Sequence, residues 1–150
     1  MKCKFITPAH AYYRDELMLR WEVLRKPLGM PPGSEVIPEE MESTHLLVLQ
    51  NKKIVGCLVF HPESESSRQI MQLALSEDYR GTGCARKLMH ALEESLSTKG
   101  VVDVSVFARE ELQGFYQRMG FHYKGESIQR MGSHYRLMSK HLLVDVLKTA

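Results

Sequence analysis

The residues that are most suggestive of chemistry stand where a strand gives way to a helix, in "LSEDYRGTGCARKLMHAL", residues 75–92. A helix N-terminus carries unpaired N–H groups and about half a positive charge, which suits a phosphate group. Gly81 and Gly83 let the backbone come close to a bulky anion, and Arg80 adds a full positive charge. The stretch therefore predicts an anion-binding turn. A tight turn in which Gly83 only eases the bend would explain the same residues without a ligand.

Two widespread phosphate loops do not fit this turn. A Walker loop needs Gly-Lys-Ser/Thr, whereas Gly83 is followed by Cys84 and Ala85. The dinucleotide fingerprint needs a third glycine where the chain has Arg86. The residues therefore disfavour both kinds of nucleotide site.

The elements around the turn follow from the spacing of apolar residues. They predict the order β-α-β-β-β-α-β-α-β-β and an α+β fold. The predicted strands are Lys2–Ile6, His45–Leu49, Ile54–Phe60, Gln69–Leu75, Val101–Phe107, Phe121–Lys124 and His134–Ser139, and the predicted helices follow Pro8, span Gly83–Ser97 and lie within "REELQGFYQRMG". Residues 26–44 hold four prolines and two glycines, which predicts a long ordered loop of the kind that lines binding sites. "HPESESS" predicts a second loop.

Composition narrows the class of protein. A chain of 150 residues predicts one domain, 1–150, and a net charge of +2 indicates neither a nucleic-acid nor a membrane partner. Three isolated cysteines argue against a disulfide framework or a zinc site and favour a reducing compartment. With no signal peptide and no membrane-length apolar run, we expect a cytoplasmic protein.

Two motifs carry a resemblance to a known family. Arg80-Gly81-Thr82-Gly83-Cys84-Ala85 matches the Q/R-x-x-G-x-G/A signature of GNAT-superfamily N-acetyltransferases. "FYQRMGF", residues 115–121, resembles the second hallmark of that family. The motif spacing and the strand order also fit, and the segments from Leu19 to Leu46 and "GSHYRLMSK" are similar to small uncharacterised bacterial members.

The resemblance implies a mostly antiparallel sheet of about seven strands, flanked by about four helices and splayed between its fourth and fifth strands. It implies acetyl transfer from acetyl-CoA to an amine by direct attack, with no metal. The pyrophosphate of CoA would bind the turn from Arg80 to Ala85. The pantetheine arm would pair with the backbone of Leu73, Ala74 and Leu75, and a backbone N–H at Leu73 or Leu75 would stabilise the oxyanion.

The resemblance also implies a catalytic acid. Tyr116 matches the family's tyrosine, which would donate its proton to the departing CoA thiolate. An amphipathic-helix aromatic that fills the core explains Tyr116 equally simply. Cys84 occupies the small-residue position of the turn, and a structural role is favoured there over a covalent acetyl-cysteine route.

The general base is not readable from the sequence. The fourth strand offers Gln69 and Gln72, which are not bases. The candidates are His45, His61, Glu63 and His134, and a structural role is the simpler interpretation of each. Arg109 stands where many relatives carry an Asn or Gln that contacts pantetheine.

The acceptor and the assembly state are predicted only in outline. Four carboxylates in the Pro-rich loop, Glu35, Glu39, Glu40 and Glu42, favour a cationic amine of a small molecule or peptide, although a solvated acidic loop would look the same. A non-catalytic CoA-binding sensor and a purely structural domain are the alternative functions. The apolar C-terminal "HLLVDVLKTA" indicates either a homodimer contact or an extended last strand.

Overall fold

The computed structural model of the chain describes residues 1–142 and contains every predicted strand and helix in the predicted order. The strands are β1 Lys2–Ile6, β2 Thr44–Gln50, β3 Lys53–Ser64, β4 Ser67–Leu75, β5 Asp103–Arg109, β6 His122–Arg130 and β7 Ser133–His141. The helices are α1 Tyr13–Leu24, α2 Cys84–Leu96 and α3 Glu110–Arg118. Most of "HLLVDVLKTA" lies outside the described residues.

Within residues 1–142 the seven strands form one sheet in the order β1-β2-β3-β4-β5-β7-β6. The β4–β5 pair is parallel, whereas the β1–β2, β2–β3, β5–β7 and β6–β7 pairs are antiparallel. The α+β prediction is therefore confirmed. The prediction of about four helices was too high, because this part of the chain has three α-helices. Between α1 and β2, four prolines leave room for only a 3₁₀ turn at Lys26–Leu28.

Two boundaries differ from the sequence prediction. The "HPESESS" stretch is mostly strand, since β3 runs to Ser64 and β4 begins at Ser67. Its polar residues are largely exposed, and β3 and β4 are hydrogen-bonded neighbours in the sheet, so backbone pairing rather than burial holds this stretch extended. Helix α1 begins at Tyr13 rather than beside Pro8, because backbone hydrogen bonds from His10 to Thr7 and from Tyr13 to His10 form turns first.

The chain is organised as two compact units. The first contains residues 1–61 and 72–92, and the second contains residues 62–71 and the described residues from 93 onward. In the first unit, α1 packs on the sheet through a buried cluster formed by Ile6, Leu19, Leu47, Ile54, Cys57 and Ala74. Asn51 and Lys52 both have positive φ and close the predicted β2–β3 hairpin as a two-residue turn.

The second unit is built on β5 and α3. Strand β5 buries its alternate residues Val104, Val106 and Ala108, and α3 follows it without an intervening residue. Strand β4 contributes Ser67–Ile70 to this unit, in parallel register with Asp103–Val106. Strand β6 is exposed along its whole length, which explains why apolar spacing detected only its beginning.

Candidate active site

The Arg80–Ala85 turn lies between β4 and α2 in the first unit. Arg80, Gly81, Thr82 and Gly83 are exposed, whereas Cys84 is buried at the first helical position. The Thr82 hydroxyl donates a hydrogen bond to the Tyr79 carbonyl at 2.5 Å. The Lys87 N–H donates to the Gly83 carbonyl at 3.0 Å, so the N–H groups of the preceding helical residues lie at the helix start, where α-helical N–H groups lack intrahelical acceptors.

Both glycines of the turn are required by backbone conformation. Gly81 has φ +74° and Gly83 has φ +86°, values that glycine adopts without strain. A Cβ added at either position would meet no atom within 4 Å, so these positions border open space. A bulky anion can therefore approach this backbone closely.

The segment from Leu75 to Cys84, which contains most of the turn, contacts β3 at both of its ends. The Ser76 N–H donates to the Val55 carbonyl at 2.8 Å. A Cβ on the neighbouring Gly56 would lie 2.8 Å from Cys84 Sγ and 2.9 Å from Leu75 Cδ2. The absence of a side chain at Gly56 thus lets the start of α2 and the end of β4 pack directly on β3.

The end of β4 presents two different faces. Ala74 is buried in the α1-side cluster, and Gln72 is buried on the same face by strand alternation. Leu73 and Leu75 are half-buried and point to the opposite face. These residues lie beyond Ile70, where the described β4–β5 ladder ends.

Tyr116 lies in α3, in the second unit, and is 1% exposed. Its ring makes edge contacts with Phe115 and Phe121, with centroids 5.2 Å apart in each pair. Burial raises the pKa of the Tyr116 hydroxyl well above its usual range, so the group carries its proton at neutral pH. The ring fills the core, and the hydroxyl is in the protonation state that an acid needs.

Comparison with known proteins decides the family. The model of the acetyltransferase (GNAT) domain family matches residues 31–142. The chain belongs to the GNAT acetyltransferases.

One relative in sequence and two in fold illustrate the similarity. The uncharacterized N-acetyltransferase YycN of Bacillus subtilis is 33% identical over an alignment of 98 positions that covers 59% of this chain and 63% of YycN. The chain therefore spans less than two thirds of that relative. A candidate N-acetyltransferase from Lactobacillus plantarum has the same fold, with a TM-score of 0.83 at 21% identity over 95% of this chain and all of the other. A GNAT acetyltransferase from Elizabethkingia anophelis, solved with acetyl-CoA bound, has a TM-score of 0.70 at 16% identity over 94% and 97% of the two chains.

His45, one of the GNAT base candidates, is buried among acceptors. Its Nδ1 lies 2.8 Å from Glu16 Oε2, and its Nε2 lies 3.0 Å from the Glu40 carbonyl oxygen. Burial alone would lower the pKa of His45, but the bonds to Glu16 and Glu40, together with the charges of both carboxylates, outweigh burial and raise that pKa. Both ring nitrogens face acceptor oxygens, an arrangement that suits the imidazolium form and leaves no lone pair free to accept a substrate proton.

The other three base candidates differ in burial and in hydrogen bonding. Glu63 is exposed and accepts a 2.6 Å hydrogen bond from the Ser105 hydroxyl in the second unit. His61 is half-buried, and its Nδ1 has no hydrogen-bond partner within residues 1–142. His134 is exposed on β7. These positions do not single out one of the three as a base.

The four carboxylates of the Pro-rich loop have different roles. Glu40 is buried against Arg20, and Glu35 is buried with Oε1 accepting the Gly33 N–H at 2.8 Å. Glu39 is half-buried and Glu42 is exposed. The prediction that all four carboxylates face an acceptor amine is therefore wrong for two of them. Glu35 and Glu40 accept hydrogen bonds inside the protein instead of facing solvent.

Cys84 is buried at the start of α2. Burial raises the pKa of its thiol to about 11, so it is not a thiolate at neutral pH. The thiols of Cys3 and Cys57 are free as well.

Arg109 at the end of β5 is half-buried, with its Nε 3.5 Å from Glu111 Oε2 and its Nη2 3.5 Å from the Ser133 hydroxyl oxygen.

Sequence reasoning missed the most extensively hydrogen-bonded side chain of the first unit, Arg20. Its guanidinium is fully buried between Glu16, Glu40 and Gln72. The i, i+4 spacing of Glu16 and Arg20 on one helix was the available signal, but their burial depends on partners distant in sequence. Glu16, Glu40 and His45 also bring three potential metal-ligand atoms within 4.8 Å of one another, and Arg20 donates to the carboxylates of that group.

No helix within residues 1–142 combines the length and the apolar character that crossing a membrane requires.

Proposed function

We propose that residues 1–150 form one N-acetyltransferase domain that transfers the acetyl group of acetyl-CoA to a primary amine of a small molecule or peptide. The amine would attack the thioester directly in a ternary complex. The observation that carries this proposal is the exposed Arg80–Gly83 turn at the start of α2, in a chain of the GNAT family. In the Elizabethkingia anophelis relative of the same fold, acetyl-CoA is bound.

The turn fits the pyrophosphate of CoA. Two positive-φ glycines, open space around both, a helix N-terminus and Arg80 combine backbone donors with a full positive charge. Thr82, Cys84 and Ala85 complete the turn, with Cys84 serving as a buried packing residue. The chain's own contribution would be to bind and orient the cofactor without a metal ion.

The end of β4 is the proposed site for pantetheine. The β4–β5 ladder pairs Ser67–Ile70, which supports a role for the backbone of Leu73, Ala74 and Leu75 in pairing with a ligand. An N–H at Leu73 or Leu75 would then face the thioester carbonyl. An oxyanion donor of this kind contributes about 3–4 kcal/mol in other acyl-transfer sites.

Tyr116 is the proposed general acid. Its hydroxyl carries a proton at neutral pH and would donate that proton to the CoA thiolate as the thioester breaks. The acceptor ammonium must itself lose a proton, because an alkyl amine has a pKa near 10.4. Since both ring nitrogens of His45 are engaged by Glu16 and the Glu40 carbonyl, Glu63, His61 or His134, or a water molecule held by them, remains for that step.

The acceptor is proposed to be a cationic amine that approaches Glu39 and Glu42, the two carboxylates of the loop that are not buried. We place the protein in the cytoplasm, which the free thiols of Cys3, Cys57 and Cys84 support. A homodimer is the assembly that we would test first.

Ligand-dependent melting tests the proposed cofactor. Acetyl-CoA at about a hundred times its dissociation constant should stabilise the fold by about 2.7 kcal/mol, a shift of several degrees. Thiol release is then followed with spermidine, glucosamine and a lysine-containing peptide as acceptors. A melting temperature that does not change with acetyl-CoA concentration would contradict the assignment of the turn.

A CoA-binding sensor without catalytic activity is the second candidate. The observation that favours it is the chemistry of β4 and β2, where Gln72 is not a base and both ring nitrogens of His45 are engaged within the protein. A sensor would show the melting shift but would release no CoA from acetyl-CoA with any of the three amines.

A further inference from the structure

The loop between α1 and β2 is held by α1 side chains that bind its carbonyl groups. Trp21 Nε1 donates to the Met30 carbonyl at 3.0 Å, and Arg25 Nε donates to the Ser34 carbonyl at 3.1 Å. Tyr13 adds a side-chain contact, because its hydroxyl donates to Glu40 Oε1 at 2.6 Å. A segment with no strand and no α-helix therefore has a defined path across α1.

Arg20 is the residue that joins this loop to the sheet. Its Nη1 donates to Glu16 at 2.8 Å and to Glu40, and its Nη2 donates to Glu40 Oε2 at 2.9 Å and to the Glu35 carbonyl at 2.7 Å. Its Nε donates to Gln72 Oε1. All five guanidinium N–H groups are thus used, an arrangement that a lysine could not reproduce.

Gln72 completes the connection from the side of β4. Its Nε2 donates to the Glu35 carbonyl at 3.3 Å, so that carbonyl accepts from both Gln72 and Arg20. Gln72 immediately precedes Leu73, the first residue of the segment proposed to hold pantetheine. The loop and that segment are therefore connected through one buried guanidinium.

Basic and acidic side chains are paired inside this cluster. Arg20 and His45 face the carboxylates of Glu16 and Glu40, and all four side chains are at most 7% exposed. Buried groups of this kind cost desolvation free energy and often contribute little net stability. A role beyond stability is therefore a reasonable expectation for so large a buried network.

We propose that Arg20 is a positioning residue for acyl transfer. It holds residues 31–43 of the Pro-rich loop against β4, so that the acceptor amine and the thioester are correctly placed for attack. The proposal rests on the proposed function, because it assumes that this loop borders the acceptor. Small displacements in such an arrangement are costly, since about 1 Å of misplacement can reduce a rate about 100-fold. Arg20 acts here through Glu40 on the loop and through Gln72 on β4.

Two variants test separately the contact of Arg20 with the loop and its contact with β4. Glu40→Gln weakens the loop contact, with exposed Glu22→Gln on α1 as its control. Gln72→Met removes the strand contact while keeping side-chain length, with Gln69→Met on the same strand as its control. Each variant is assayed with whichever of spermidine, glucosamine and the lysine-containing peptide the wild type acetylates fastest.

We expect both test variants to lower kcat/KM for the acceptor at least tenfold, while the dissociation constant for acetyl-CoA stays within about twofold and both controls behave as wild type. In the double variant, kcat/KM should fall by less than the product of the two single fold-changes, because both substitutions weaken the same connection. Variants that melt earlier but keep wild-type acceptor kinetics per folded molecule would assign the network to stability alone and overturn the proposal.

Hydrogen–deuterium exchange tests the same connection without relying on catalysis. In Gln72→Met, the amides of residues 31–43 and those of Leu73–Leu75 should both exchange faster than in Gln69→Met. Unchanged protection of the loop would overturn the positioning role even if the enzyme is active. Faster exchange of both segments in a protein that does not respond to acetyl-CoA would instead support the connection and contradict the proposed function.

Discussion

A Cβ on Gly56 would lie 2.8 Å from Cys84 Sγ, a separation that real Cβ atoms essentially never show. Cys84 begins α2, and Gly56 lies on β3. Because Gly56 has no side chain, the start of the helix can pack closely on the sheet. The N–H groups proposed to bind pyrophosphate belong to that same helix start. We therefore expect packing inside the first unit and CoA affinity at its surface to be coupled at Gly56.

Gly56→Ala should lower both stability and CoA affinity. The new methyl group must displace Cys84 and Leu75, and overpacking of this kind costs about 1–3 kcal/mol. We expect the dissociation constant for CoA to rise about tenfold or more, as measured by calorimetry. Gly56→Ala combined with Cys84→Ala removes the nearer collision and should recover part of the affinity. An unchanged dissociation constant in Gly56→Ala would separate the helix position from CoA binding.

Gly83→Ala should weaken CoA binding through the backbone. Gly83 has φ +86°, which costs an alanine about 1 kcal/mol or more, and the strained turn would rearrange. Gly100→Ala is the matched control, because Gly100 has φ +71° and similarly open surroundings in the second unit. Both variants should lose similar stability, and only Gly83→Ala should lose the acetyl-CoA melting shift. Loss of the shift in both would indicate a general folding defect.

Tyr116→Phe should separate catalysis from binding. The change keeps the ring that packs against Phe121 and removes only the hydroxyl. We expect kcat to fall about 10²- to 10⁴-fold, the usual contribution of a general acid, with little change in CoA affinity. Phe115→Leu, which removes the other ring contact, serves as a packing control. If Tyr116→Phe turns over at the wild-type rate, Tyr116 is a core residue without a role in proton transfer.

His45 should make the stability of the protein depend on pH. Because its pKa is raised on folding, its contribution is complete below the unfolded pKa of about 6.5 and is lost as pH rises through the folded value. We therefore expect the free energy of unfolding to decrease from about pH 6 toward alkaline pH. Denaturant unfolding of wild type and His45→Gln over that range checks the sign. A pH dependence that is the same in both proteins would exclude His45 as its source.

The sequence predicted the order of the elements because strand alternation and helix spacing are local properties. The β2–β3 turn and the Arg80–Ala85 turn could be recognised because glycine and turn residues report backbone conformation directly. The Arg20 network could not be predicted, since its members come from α1, the Pro-rich loop, β2 and β4. The same long-range contacts explain why Glu35 and Glu40, which read as surface charges, are buried.

The direct passage from Arg109 of β5 to Glu110 of α3 limits how this part of the chain can change in length. One inserted residue has no loop to absorb it, so it would turn α3 by about 100° relative to β5 and rotate Tyr116 out of its buried position. The β6–β7 turn at Met131–Gly132 is exposed and can take up added residues by bulging outward. Length variation among functional versions of this fold should therefore collect at the hairpin, and the β5–α3 junction should keep a fixed count of residues.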